Sequence, residues 1–266
     1  MGIDKFYRKV VMPSAKVKSL GDISQIWVSP DGDDTNGDGT FLNPYATLTQ
    51  AFSVVTIARK NIMCMPGEYV EVALTWPSVN GVSLIGAFGS VTVNLSTEAV
   101  TPVLTIDPAL PSAGTFVATL KNLNIESDYD TGVALKIDNT NMTTRINVFL
   151  INIALSTKNV TDTSLTVIHT GTPAIRVYIN GSYEIWEGLV DFTAKNTDDR
   201  LRIFNQKIVG TLTMNEAIVA ELTLINVGIP AAVTVDGAIL LTNINCWHED
   251  DANPNTYTAY TNAFTV

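Results

Sequence analysis

Asp34-Thr35-Asn36-Gly37-Asp38-Gly39 places oxygen-bearing side chains at alternate positions of a glycine-containing loop. That spacing matches the opening D-x-[DN]-x-[DN]-G of a calcium loop, in which carboxylate and amide oxygens converge on a hard cation. The match is incomplete, because position twelve is Tyr45 rather than a bidentate Glu and no helix precedes the loop. Asp34, Asn36 and Asp38 are therefore candidate calcium ligands, weighed against a plain Asp/Gly-rich turn. Neither histidine stands in a motif: His169 follows the apolar run Leu165-Thr166-Val167-Ile168, and His248 adjoins Trp247 and Glu249. No Gly-x-Ser-x-Gly nucleophile elbow occurs. Trp76, Trp186, Trp247 and Tyr257 could stack on sugar rings or pack within the fold. Cys64 and Cys246 each sit in an apolar strand-like stretch, which predicts two buried free thiols. No catalytic or cofactor-binding residue is assigned.

The elements that would position these groups are mostly strands. Ile26-Trp27-Val28 reads as a short strand, followed by the turn-rich loop 29–39. Asn43 as N-cap and Pro44 at the first helical position predict a helix over about 44–58, with Leu48, Ala51, Phe52 and Val55 as its apolar stripe. Residues 61–70 read as a strand ending in a Pro-Gly turn, and Val82-Ser83-Leu84-Ile85-Gly86 as the next strand. Beyond it, β-prone runs alternate with polar turns and no second helix is predicted. A loose repeat of apolar, Asn or Asp, apolar recurs at Asn124, Asn152, Asp191, Asn226 and Asn245, the irregular period of a solenoid whose coils carry turns of different length.

Composition bounds the class. Of 266 residues, 46% are hydrophobic and 16% charged, enough apolar material for a long core and too much for disorder. A net charge of −10 argues against general nucleic-acid binding. Yet residues 1–20 hold five of the 16 basic residues (Lys5, Arg8, Lys9, Lys16 and Lys18) and one of the 26 acidic ones. A basic arm on an acidic body predicts docking onto an acidic partner. No apolar run approaches the roughly 18–20 residues of a membrane span. The first residues lack the apolar core of a secretion signal, and Phe6 stands where a myristoylation site wants Ser or Thr. The expectation is synthesis in the host cytoplasm.

Residues 26–55 (IWVSPDGDDTNGDGTFLNPYATLTQAFSVV) and the later Pro66-Gly67-Glu68-Tyr69 resemble the opening of pectin-lyase-like β-helix proteins. In that family a strand, an Asp/Asn/Gly loop, a helix start of the type P-[FY]-x-T-[IL]-x-x-A and a PG-x-Y turn follow in this order. The resemblance is good over about residues 26–90 and only pattern-level afterwards. It implies an all-β, right-handed, single-stranded parallel β-helix over residues 23–266, capped by the helix at 44–58. The arm at 1–22 would precede the solenoid, and a tail at about 250–266 would follow the last coil. Asn196-Thr197-Asp198-Asp199-Arg200 is similar to the Asn-Thr-Asp of polygalacturonases, where paired carboxylates act as acid and base on a glycosidic bond. The Gly-His-Gly of that pattern is missing, and Asp250 and Asp251 lie beyond the last repeat. A turn between strands is the preferred reading. A lyase would need a basic residue beside clustered acidic calcium ligands, and Lys and Arg are sparse.

The family includes polysaccharide lyases and hydrolases, adhesins, and phage tailspikes and other virion proteins, so fold leaves function open. The reading adopted from the sequence is a structural bacteriophage virion protein. It would be a homotrimeric capsid decoration or head-fibre protein, docked on a capsid or other virion protein through Lys5, Arg8, Lys9, Lys16 and Lys18. The alternatives are a polysaccharide-binding or polysaccharide-cleaving tailspike-like protein and a bacterial surface adhesin.

Overall fold

In Thr115–Ser127 the buried residues are Phe116, Ala118 and Leu120, then Leu123, Ile125 and Ser127. Alternation of inward and outward residues is what a strand imposes. Here it slips by one residue at Lys121-Asn122, where two successive residues face out, so the strand turns a corner and begins a second face. Arg145–Thr157 and Arg200–Val209 show the same slip at Ile151-Asn152 and Phe204-Asn205. The corner residues Asn122, Asn152, Asn205 and Asn226 have φ of 56°, 51°, 52° and 55°. Asparagine tolerates this left-handed region better than other side chains bearing a Cβ.

A computed structural model describes residues 24–95, 102–108, 114–129, 132–159, 161–181, 185–216, 220–228, 233–235, 240–244, 246–249 and 257–259. Its strands form two stacks. One stack has 14 strands and begins Gln25–Val28, Asn61–Cys64, Val82–Gly86, Thr115–Ser127 and Arg145–Thr157. It continues through Ile175–Asn180, Arg200–Val209 and Glu221–Gly228, and Leu240–Ile244 pairs with the last of these. The second stack has seven strands, among them Leu104–Ile106, Leu135–Asp138, Thr163–Ile168, Leu189–Ala194 and Leu212–Glu216. After three strands in the first stack the chain passes back and forth between the two, and every described strand pairing is parallel except Trp247–Glu249 with Tyr257–Ala259; an isolated antiparallel bridge also joins Thr40 to Asn43. Two all-parallel sheets visited in this order make a parallel β-helix.

The core is a set of ladders running along the solenoid. Ile26, Ile62, Leu84, Leu120, Leu150, Ile179, Ile203 and Leu224 occupy successive register positions of the first stack and are all essentially inaccessible. Each such side chain removed from water stabilises the fold by about 1.5–3 kcal/mol before entropy is counted. Gly86 lies opposite Cys64 at the edge of this core, and a Cβ there would run into the backbone carbonyl oxygen of Asn122.

The first coil differs from the sequence reading in two ways. The helix is Leu48–Ser53, shorter than 44–58, and its N-cap is Thr47 rather than Asn43. Residues 44–46 stay extended because Tyr45 bridges Val28, donating its N–H to Trp27 and accepting from the N–H of Ser29. The expected stripe is otherwise in place: Leu48 and Ala51 enter the core, with Phe52 and Val55 packed against it. Residues 61–70 are two strands, Asn61–Cys64 and Gly67–Glu71, because Pro66 and Gly67 (φ 141°) break the first. Residues 1–22 lie outside the described residues, and so does most of 250–266.

Candidate functional site

The Asp/Asn/Gly loop places its acidic groups on backbone donors. Asp34 accepts from the N–H groups of Ala46 (2.7 Å) and Thr47 (3.1 Å) and from the Thr47 hydroxyl (2.7 Å). Asp38 accepts from the Thr40 N–H at 3.0 Å, and the Asn36 side-chain amide donates to Asp33 at 2.8 Å. These bonds hold the Asp33 and Asp38 carboxyls below the usual carboxylate range, Asn36 being the main cause at Asp33 and Thr40 at Asp38. Asp34, Asn36 and Asp38 thus serve three different sets of partners, and the loop is tied to the helix start. Among the described residues, no group of three or more His, Cys, Asp or Glu is arranged to hold a metal.

Glu71 completes the helix start from the neighbouring coil. Its carboxylate accepts from the N–H groups of Leu48 (2.5 Å) and Thr49 (3.2 Å) and from the Thr49 hydroxyl (2.8 Å). Burial still raises its carboxyl above the ordinary value, outweighing those bonds, and the nearby Asp34 charge adds to the rise.

The adjacent carboxylates Asp198 and Asp199 point to opposite environments. The Asp199 side chain is 0% exposed. It accepts from the N–H groups of Ile175 (2.7 Å), Lys195 (2.8 Å) and Asn196 (2.8 Å) and pairs with His169 Nδ1 at 2.5 Å. His169 is buried as well, at the end of Thr163–Ile168. This dyad ties the second stack to the turn that leads into Arg200–Val209. Asp198 is 45% exposed on the outer surface and meets Arg145 at 3.0 Å, Arg176 at 3.4 Å and Arg200 at 4.0 Å. With one carboxylate sealed inside and the other in an ion-pair network, the two do not flank a common space for a glycosidic oxygen.

The arginine grouping is absent from the sequence reading, which treats Lys and Arg as sparse. Four of the chain's six arginines meet on one outer face: Arg145, Arg176, Arg200 and Arg202. Glu221 joins them, 2.7 Å from Arg202 and 3.3 Å from Arg200. Burial pushes its carboxyl up, but hydrogen bonds from Thr223 and Arg202 and the Arg202 and Arg200 charges together hold it below the ordinary value. Phe149 and Tyr178 stack beside them, 5.0 Å apart and 11° from parallel, and the Arg202 guanidinium lies 5.9 Å from the Tyr178 ring centre. Register explains the cluster: Asn147, Arg176, Arg200 and Glu221 are one outward column, and Phe149, Tyr178, Arg202 and Thr223 the next. The signal was in the sequence, but only once each strand's register is known. A shallow polar depression of about 400 Å³ opens at the edge of this face, with Thr143, Thr144, Arg145, Thr172, Asn196 and Asp198 in its wall.

The remaining candidates divide. Trp76 and Trp186 are core residues rather than sugar platforms. Trp76 packs against Phe52 at 5.7 Å, and Trp186 Nε1 donates to the Ile153 carbonyl at 2.6 Å. Trp247 and Tyr257 lie in paired strands, with side chains outside the described residues. Cys64 and Cys246 are free and buried, and burial pushes both thiols up. Lys5, Arg8, Lys9, Lys16 and Lys18 lie outside the described residues. Compared with known proteins, the chain matches no family model and no curated protein.

Proposed function

We propose that the chain is a structural bacteriophage virion protein of pectin-lyase-like character, a homotrimeric capsid decoration or head-fibre protein that docks through its N-terminal end. The observation behind this reading is the exposed apolar surface on the first coils, where the basic arm joins the solenoid. Leu42 is 82% exposed, Phe41 beside it in the chain 45% and Phe88 80%. Phe88 stacks on Trp27 at 6.0 Å while holding a φ of 68°, and Phe41 meets Trp27 edge-on at 4.9 Å. A bulky residue in that backbone region costs about 1–2 kcal/mol, so its display in water is unfavourable twice over. Exposed apolar surface of this kind marks a protein contact. With a Lys- and Arg-rich segment preceding the first strand in the sequence, it fits an acidic protein surface with apolar pockets.

The test is sedimentation with purified particles of the encoding phage. The chain is expected to co-sediment with particles that lack it and to stop doing so on deletion of residues 2–20 or in the variant Leu42→Ser with Phe88→Ser. Particles that are neither labelled by antibody to the chain nor bound by it would refute the reading. The polar depression beside Arg145 and Asp198 favours a second reading, a polysaccharide-binding or polysaccharide-cleaving tailspike-like protein. Glycan-array binding and a reducing-end assay on capsular polysaccharides decide it.

A further inference from the structure

The outer surface of the first stack has a feature that a solvated face does not need. Met63, Ile85, Ile151, Phe204 and Ile225 occupy one half-buried outward column beside the asparagine corner, interrupted only by Lys121 and Asn180, while Trp27 at its first rung is covered by Phe41 and Phe88. Ile244 extends it and is 48% exposed. The next column adds Phe149 and Tyr178, and the one after it adds Arg176 and Arg200. An apolar stripe running the length of a solenoid, flanked by arginines, has the anatomy of an interface: dry centre, charged rim.

The size is right for a stable contact. The eight strands from Asn61–Cys64 to Leu240–Ile244 supply seven steps of about 4.8 Å, about 34 Å of length, and three outward columns each about 6.8 Å wide give about 20 Å of width. The product, about 700 Å² per copy, is close to the roughly 800 Å² per partner of standard interfaces.

The complement lies around the corner of the same chain. Glu68, Glu126, Asp128 and Glu187 sit on the second face, and the Glu126 carboxyl is raised by burial and then by the charges of Asp128, Glu68 and Glu187. Measured in residues from the corner, the two bands overlap in range. Arg202, Arg200 and Arg145 precede their corner asparagines by 3, 5 and 7 residues. Glu126 and Asp128 follow Asn122 by 4 and 6 residues. Glu187 pairs with Val209, which is 4 residues past Asn205. In a ring of copies with the corner turned toward the axis, positions equally far from the corner on the two faces come together.

We propose that this face binds a second copy of the chain head-to-tail: the apolar column of one copy packs beside the asparagine corner of the next, and Arg176 and its neighbours meet the Glu126–Glu187 band of that copy. The contact uses two different faces, so it is heterologous, and a rotation of about 120° between neighbours closes it into a ring of three. It rests on the trimer reading above and names the surfaces that would make it.

The experiment uses the full chain carrying Arg176→Cys and Glu187→Cys, treated with a short bismaleimide. Both native cysteines are buried. Light scattering on a sizing column is expected to give three times the 28.7 kDa chain mass, and denaturing gels to give covalent dimers and trimers for the double variant only. A trimeric mass without covalent species overturns this assignment of faces and leaves the trimer standing. A monomeric mass at about 10 µM, a concentration at which an interface of this size holds, overturns both. Independently, Ile151→Glu with Phe204→Glu is expected to yield a monomer with unchanged strand circular dichroism. A variant that stays trimeric refutes the stripe as the contact.

Discussion

Replacing Asp199 by Ala removes the acceptor of four hydrogen bonds in a site that water does not reach. The Ile175, Lys195 and Asn196 N–H groups and His169 Nδ1 all lose their partner. A buried donor left unsatisfied costs about 1–3 kcal/mol, and partial relaxation of the 195–199 turn toward solvent recovers part of the sum. The expected loss is about 4 kcal/mol. Asp199→Asn is milder. Its oxygen can serve Lys195, Asn196 and His169 while its amide faces the Ile175 N–H, so one backbone donor is orphaned and the charge assistance is lost, about 2 kcal/mol. For a chain of 266 residues the unfolding entropy is about 0.56 kcal/mol/K, so the two variants should melt about 7 °C and about 4 °C below the parent. Scanning calorimetry reads both. Amide exchange should also show faster opening of Ile175–Asn180, whose first N–H is the one Asp199 holds. An Asp199→Ala protein melting within about 1 °C of the parent would sink the reasoning, because a dyad without effect on stability is not tying the stacks together.

At the corner, Asn152→Ala should cost more than Asn152→Gly. Alanine at a φ of 51° is strained by about 1–2 kcal/mol, while glycine loses only the 3.1 Å side-chain bond to Asn122, about 0.5–1 kcal/mol; equal losses in urea titrations would contradict this. Glu71 makes stability depend on pH. Its folded carboxyl is raised, so the folded state binds more protons than the unfolded one, and the contribution present below about 4.5 is lost as pH rises through the raised value. Glu71→Gln should flatten the melting-temperature profile in that window, and an unchanged slope assigns the effect elsewhere. Calcium at millimolar concentration should move the melting temperature by less than about 1 °C, since Asp34 and Asp38 already hold backbone donors. A rise of several degrees would make the loop a cation site.

Much of the solenoid was legible in the chain because strand alternation is a local property. The runs around Ile26, Ile62, Leu84 and Leu120 declare their inward residues by period two, and Pro66-Gly67 declares a break. The repeat was legible only in part. The triplet of apolar, Asn or Asp, apolar found two corner residues, Asn152 and Asn226. It chose Asn124 where the corner is Asn122, and Asp191, which lies in the other stack. An outward Asn between two inward residues has the same triplet as a corner, and the left-handed backbone that distinguishes them has no one-residue signature. The helix start misled for a related reason. Asn43-Pro44 has the composition of an N-terminus, but the extended bridge from Tyr45 to Val28 leaves Thr47 to cap.

The sequence by itself determined the fold class, the capping segment and its apolar stripe, and the two buried thiols, all of which depend on neighbours within a few residues. Only the tertiary structure decided which polar groups meet. Arg145, Arg176, Arg200 and Glu221 come from four strands, and they share a face because parallel stacking converts sequence separations of 21–31 residues into adjacent rungs. Asp198 and Asp199 are neighbours in the chain, yet one is exposed and the other sealed against His169. Pairing along the stack, not proximity in sequence, sets the chemistry of this surface.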